Sequence, residues 1–386
     1  MATYPSARHV AAEGLSGPTF CLRPHAVTRA ARWFASAFPG ETYYAVKANP
    51  EPWTLSAVRA GGVSRFDVAS LAEVRAVAAS QPGATMAFMH PIKPAAAIAE
   101  AYRDHGVRIF ALDHIDELHK ILAATGHARD ITLVVRLAVS SDGARIPLSA
   151  KFGAQADQAS GLLRLARQHA RRLGLAFHTG SQQTGTAAFA AAMTEAERVV
   201  VRAGVILDVL DVGGGFPAAY PGEAAPVADI LSLVATRFEP FLSAENSGLW
   251  CEPGRALVAE GASLLVTVQA VRGDHLHIDD GLYGALYDAG ALGWRFPVRN
   301  LSREGAPRDF ALYGPTCDDA DRMEGPFALP ADTQAGDVIE IGQLGAYGRV
   351  MATGFNGFGQ YQEAVCTDDP FGTIYTEQHE LRRAGR

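Results

Sequence analysis

The stretch RFDVASLAEVRAVAAS, residues 65–80, holds one complete repeat of the fold. Its first six residues form a short apolar run of the strand type, and from Ser70 the Ala- and Leu-rich remainder takes helical spacing. The same unit recurs on both sides. TYYAVKAN (42–49), TMAFMH (85–90), RIFALD (108–113) and ITLVVRL (131–137) read as further strands, as do LAFHTG (175–180), LDVLDVGG (207–214) and LWCEPG (249–254). Helical segments at 94–105, 155–173, 187–203 and 227–240 lie between them. Eight strand-then-helix units in roughly 210 residues are the size and count of a (β/α)8 TIM barrel, placed here over residues 25–254. A doubly wound open sheet is the alternative, because a strand count does not show closure.

Past residue 254 the rhythm changes. LLVTVQAV (264–271), HLHIDDG (275–281), FALYG (310–314) and VIEIGQLGAY (338–347) are separated by turns rather than helices. The expectation is an antiparallel β-sandwich or barrel-like domain over 255–386, joined by residues 1–24. The 386-residue chain is 48% apolar and only 19% charged, which excludes a disordered protein. No run of about 18 residues is apolar throughout, so no membrane span is expected. A net charge of −7 leaves no footprint for nucleic acid. The start, MATYPSARHVAAEGLSG, lacks the layout of a secretion signal, so a cytoplasmic location is expected. Cysteines 21, 251, 317 and 366 form no CxxC pair and fit neither a zinc site nor a disulfide framework. They read as free thiols, mostly buried and inert, with room for one exception.

The strand ends, taken in order, carry Lys47, Asp67, His90, Asp113, Arg136, His178, glycines 213–215, Glu252 and Arg255. Barrel enzymes gather their chemistry at that end. Lys47 closes an apolar run, where partial desolvation makes an amine nucleophilic enough for a Schiff base; a lysine snorkelling from the strand end fits the position as well. Gly213, Gly214 and Gly215 let backbone N–H groups converge on an anion with no Cβ in the way, or else form a flexible turn. The loops after strands seven and eight are the usual barrel phosphate site, and Arg255 adds charge there. Glu252 can keep a ring nitrogen protonated, or pair with Arg255 as an ordinary salt bridge. His178 offers a flat ring for stacking, with the Ser181 hydroxyl nearby. Together these describe a site for pyridoxal 5′-phosphate bound to a lysine.

The ordered set YYAVKANP, FDVAS with Glu73, RLAV, KFG, FHTGSQ, DVGGGFP, CEPGR, DDGLYG, YGPTCDDAD, GAYG and FNGF spans nearly the whole chain. It resembles the pyridoxal-phosphate-dependent decarboxylases built on an alanine-racemase-like barrel, which act on ornithine, lysine, arginine and diaminopimelate. GPTCDDAD is most similar to the ornithine form, because Asp318 follows the cysteine. The resemblance implies that Lys47 carries the cofactor, that Gly213–Gly215, Ser181, Arg255 and Tyr347 hold its phosphate, and that Glu252 meets the ring nitrogen with His178 on the ring face. Asp67, Glu73 and Arg136 would surround the lysine. Cys317 would return a proton to the α-carbon, and Asp318 would take the distal ammonium of a small cationic amino acid. It further implies a homodimer with shared sites, in which Cys317 and Asp318 reach the partner's cofactor and Lys151 pairs with Asp321.

The segment DDGLYGALYDAG is shorter than in eukaryotic ornithine decarboxylases, which leaves the substrate-binding assignments of Tyr283 and Asp288 open. The chain closes on LRRAGR, so regulated turnover through a long C-terminal tail, as in some animal members, is not expected. The expected reaction is decarboxylation of L-ornithine to putrescine. The alternatives are a lysine or dual lysine/ornithine decarboxylase, an alanine-racemase-type enzyme and a non-catalytic regulatory homologue. Cys317, Asp318 and Glu252 argue against the last two.

Overall fold

The computed structural model describes residues 1–148, 150–241 and 247–375, so the closing LRRAGR lies outside the described residues. The chain divides into two units. One comprises Ala31–Pro217 with Ala224–Leu257; the other comprises Met1–Ala30, Ala218–Glu223 and the chain from Val258 onward.

In the first unit eight parallel strands close into a ring: β1 (Glu41–Ala45), β2 (Arg65–Val68), β3 (Thr85–Phe88), β4 (Ile109–Leu112), β5 (Thr132–Arg136), β6 (Arg172–Ala176), β7 (Val209–Asp211) and β8 (Gly248–Cys251). Neighbours in the ring are consecutive in sequence, and β8 pairs with β1, so the open-sheet alternative falls. Tyr43, Ala87, Ile109, Val134, Val209 and Trp250 are buried together in one apolar cluster contributed by the strands. Helices follow the strands as the apolar spacing predicts. Leu71–Ser80 opens on an N-cap: Ser70 Oγ accepts from the Glu73 N–H, while the Glu73 carboxylate reaches back past the cap to accept from the Ala69 N–H.

The helix expected over 155–173 stops at Arg167, and β6 starts at Arg172, earlier than the apolar run suggests. Gly174 explains the miss. A Cβ there would press on Val134 at 3.1 Å, so the strand places a glycine where an apolar residue would have betrayed it.

The second unit is a nine-stranded sheet around the long strand Ala262–Arg272. Residues before the barrel do join it: Thr19–Leu22 runs antiparallel to Ala262–Leu265. Among the described residues most pairings are antiparallel as expected, but three are parallel. Thr3–Tyr4 and Thr19–Leu22 both pair parallel with Gln362–Cys366, and His275–Ile278 does so with Pro307–Tyr313. These partners are joined by long excursions rather than hairpins, the condition under which parallel pairing arises. The unit also takes in 218–223, because the Tyr220 ring packs 4.8 Å from Trp294 and 5.7 Å from Phe296.

Candidate active site

The strand-end residues of the barrel lie at or just beyond its C-terminal rim. Lys47 sits in a single tight turn, Val46–Ala48, directly after β1. Its Nζ lies 3.3 Å from Asp67 Oδ2 at the end of β2. Asp67 is buried while Lys47 is 41% exposed, so the amine faces the mouth with a carboxylate behind it. Burial raises the Glu73 carboxyl above its usual range, with the Asp67 charge adding to the effect.

Opposite stands a second acidic pair. Glu252 follows β8 and is 8% exposed, and its Oε1 is buried without a hydrogen-bond partner. Burial, then the charges of Asp211 and Asp67, hold its carboxyl well above the usual range. Asp211 ends β7 beside it and is raised chiefly by burial, while its Oδ1 accepts from the Gly213 N–H at 2.8 Å. Two buried carboxyls this close retain a proton near neutral pH. Burial, with Arg136 and Lys47, drives His178 well below the usual imidazole range, so its ring is neutral. His178 Nδ1 accepts from the Gly180 N–H at 3.1 Å, which places the ring proton on Nε2.

Between these groups run Gly213–Gly215. A Cβ on Gly213 would collide with the Phe177 carbonyl, and one on Gly215, at φ +96°, with the Gly180 carbonyl. Only glycine permits that approach. The Gln183 N–H donates to the Gly215 carbonyl at 2.9 Å, so the glycine segment lies against the strip that bears Ser181. Buried Arg255 donates through Nε to Ser181 Oγ at 3.4 Å. Backbone amides, a hydroxyl and a guanidinium thus meet at one place, a set of donors suited to a phosphate.

The structure adds residues that strand-end reading missed. Asp211 was hidden in an apolar run; its signal was an acid two residues before the glycines. Phe152 of KFG lies under two cations, 4.9 Å from Lys151 Nζ and 5.7 Å from the Arg136 guanidinium, with His90 edge-on at 5.1 Å. Asp113 fixes that loop by accepting from the Gly153 N–H at 2.9 Å. Behind it, fully buried Lys93 donates to the carbonyls of His90 and Ala111 and pairs with Glu117 at 3.1 Å; burial pulls its amine down to about 8.

The remaining expected site residues belong to the second unit. Cys317 is exposed, whereas the other three cysteines are buried. Its N–H donates to Asn356 Oδ1 at 3.1 Å, a contact supplied by the FNGF motif. The Tyr283 hydroxyl donates to Asp318 Oδ2 at 2.5 Å. That bond and the Ala320 N–H hold Asp318 below the usual carboxylate range, so it stays charged. Asp288 is buried in a short helix, Tyr287–Ala291. Tyr347 holds a left-handed φ of 56°. Asp321 is only 4% exposed and its carboxylate accepts from Leu282 and Thr316.

The barrel residues fit pyridoxal phosphate on their own geometry. An orphaned buried carboxyl oxygen stands ready for a ring nitrogen, and a glycine cradle that any Cβ would fill stands ready for the phosphate. The family described as pyridoxal-dependent decarboxylase, pyridoxal binding domain, matches residues 25–259. A lysine/ornithine decarboxylase of Selenomonas ruminantium is 31% identical, over 88% of this chain and 87% of its own. A chloroplastic ornithine decarboxylase of Nicotiana glauca is 35% identical, over 84% of this chain and 77% of its own. The solved structure of a lysine/ornithine decarboxylase from Vibrio vulnificus, complexed with cadaverine, superposes with a TM-score of 0.80 at 30% identity, covering 94% of this chain and 97% of that one.

Proposed function

The chain belongs to the pyridoxal-dependent decarboxylases and acts on basic amino acids, and from that premise we propose that its principal substrate is L-ornithine, released as putrescine and carbon dioxide. The observation that carries the choice is Asp318: an exposed, charged carboxylate held by Tyr283 beside the exposed thiol of Cys317. An anionic group so placed attracts a substrate with a distal cation, which favours a basic amino acid.

When bound, pyridoxal phosphate supplies an electron sink for the electron pair left at the substrate's α-carbon. Lys47 Nζ would hold it, with Asp67 and Glu73 keeping the amine oriented and Arg136 beside them. Glu252 would hold the proton on the ring nitrogen, and Asp211 would keep that proton in the pair. Neutral His178 would lie against the ring face without competing for charge. Gly213–Gly215, Ser181 and Arg255 would take the phosphate, with Tyr347 added. Cys317 Sγ would hand a proton to the α-carbon once carbon dioxide has left, and Asp318 with Tyr283 would anchor the distal ammonium.

A second reading is a dual lysine/ornithine enzyme, favoured by the likeness to the Selenomonas relative. One methylene is worth only about 1–3 kcal/mol in an apolar pocket, so the two substrates are hard to separate. The test is carbon dioxide release from L-ornithine, L-lysine, L-arginine and meso-diaminopimelate in parallel. Fastest release from ornithine supports the assignment; equal kcat/KM for lysine moves it to the dual enzyme. No release from any of them overturns both.

A further inference from the structure

Lys93 is wholly buried in the barrel unit, and no step of the proposed reaction uses it. Its Nζ donates to the His90 carbonyl just past β3, at 2.8 Å, and to the Ala111 carbonyl within β4, at 2.5 Å. Glu117, on the helix Ile115–Ala124, pairs with the same ammonium at 3.1 Å and also accepts from the Lys93 N–H at 3.1 Å. An ammonium has three donors, and two carbonyls and a carboxylate take all three. Lys120 closes the cluster from outside, donating to Glu117 Oε2 at 2.5 Å and to the Lys93 carbonyl at 2.8 Å.

The two strand ends that the ammonium joins support the wall of the site. Met89, beside His90, and Ala111 line a small cavity together with Arg136, His178 and Glu252. The His90 ring meets Phe152 edge-on at 5.1 Å, and Asp113, two residues past Ala111, accepts from the Gly153 N–H at 2.9 Å. The Ala154 N–H donates to the Arg136 carbonyl at 2.9 Å, and the Arg136 guanidinium lies 5.7 Å from the Phe152 ring. One buried cation therefore stands behind both supports of the KFG loop, the His90 ring and the Asp113 carboxylate.

We propose that Lys93 is a positioning residue: from inside the barrel wall it locks the ends of β3 and β4 together, and through His90 and Asp113 it seats Phe152 and Arg136 beside the cofactor site. Its kinetic consequence rests on the decarboxylase reading of that site, whereas the seating of the loop does not. A residue of this kind acts through distance, and misplacement by about 1 Å costs on the order of a hundredfold in rate.

The experiment compares Lys93→Met, Glu117→Gln, Phe152→Leu and the double variant Lys93→Met/Phe152→Leu. Lys93→Met leaves Glu117 paired with Lys120, so no carboxylate is stranded. Deuterium uptake in cofactor-free protein is followed by peptide mass over 150–156, which holds the bonded amides of Gly153 and Ala154, and over 262–272 in the second unit as a reference. In the loaded protein, kcat and KM on the best amino-acid substrate are measured beside the visible absorbance of bound cofactor. Lys93→Met is expected to speed exchange over 150–156 by about threefold or more and to leave 262–272 as in the parent. It should lower kcat by about tenfold to a hundredfold, with a smaller change in KM. Its effect on kcat should be non-additive with that of Phe152→Leu, since both act on one seat. Should Lys93→Met fail to fold, Glu117→Gln loosens the same ammonium and should move exchange and kcat in the same directions. Unchanged exchange over 150–156, or a rise shared equally by 262–272, overturns the proposal, as do additive effects on kcat. A parent protein that turns over no basic amino acid overturns the functional reading instead, and the exchange rates still decide the seating.

Discussion

Glu252 and Asp280 show what a single buried carboxyl is for. Glu252 Oε1 has no partner in the barrel, and an unpaired polar atom in a dry place is costly unless a ligand completes it. Glu252→Gln keeps the shape but cannot keep a proton on a ring nitrogen. It is expected to lower kcat by about a hundredfold to a thousandfold while the cofactor remains bound, as parallel kinetics and visible absorbance would show. Asp280 is 2% exposed, accepting from the Ala285 N–H at 2.9 Å and from the Tyr361 hydroxyl at 3.0 Å, and burial pushes it up to about 7. The folded protein thus binds a proton that the unfolded chain releases near pH 4. Its contribution to stability is complete below that range and is lost as pH rises through about 7. Asp280→Asn, which mimics the protonated form, should therefore gain melting temperature over the parent as pH moves from 5 to 8. A difference that is flat or shrinks over that range would remove the assignment.

At the level of elements, the strands legible in the sequence were those whose apolar runs were unbroken, and the barrel rim followed from their ends. β6 was shifted because Gly174 breaks its pattern, and Arg322–Pro330 passed unread because its glycine and prolines look like a turn. Lys47, His178 and Glu252 could be found because each polar group stands out against an apolar run. Asp211 could not, since its meaning lies in a contact made across the fold, to Glu252. The glycine segment was legible as a cradle but not its tightness. Gly215→Ala sets a Cβ against the Gly180 carbonyl at a backbone angle that alanine rarely adopts. It is expected to weaken cofactor retention by about tenfold or more, read by dialysis and absorbance, because the nest must open to admit the methyl group. Unchanged retention would move the phosphate elsewhere.

For the molecule as a whole, the second unit raises the question of what its exposed groups face. Cys317 and Asp318 are exposed there, and Cys317 is bonded to Asn356, which sits among Phe355, Phe358 and Met351, exposed by 41%, 40% and 37%. Exposed apolar side chains in the segment that bonds to Cys317 suit a surface that another copy of the chain covers. A symmetric dimer with shared sites makes a sharp demand on mixtures. In such a dimer a Lys47→Ala chain and a Cys317→Ala chain are each expected to be inactive on their own, since every site would lack one of the two groups. When equal amounts are dissociated and reassociated, half the dimers are mixed, and each mixed dimer has one intact site and one doubly defective site. Activity should return to about a quarter of the parent value at equal protein concentration. If each site were built from one chain, every site in the mixture would still lack a group and nothing would return. Recovery near a quarter therefore ties Lys47 and Cys317 to different chains, whereas no recovery, with mixed dimers confirmed by mass, places both in one.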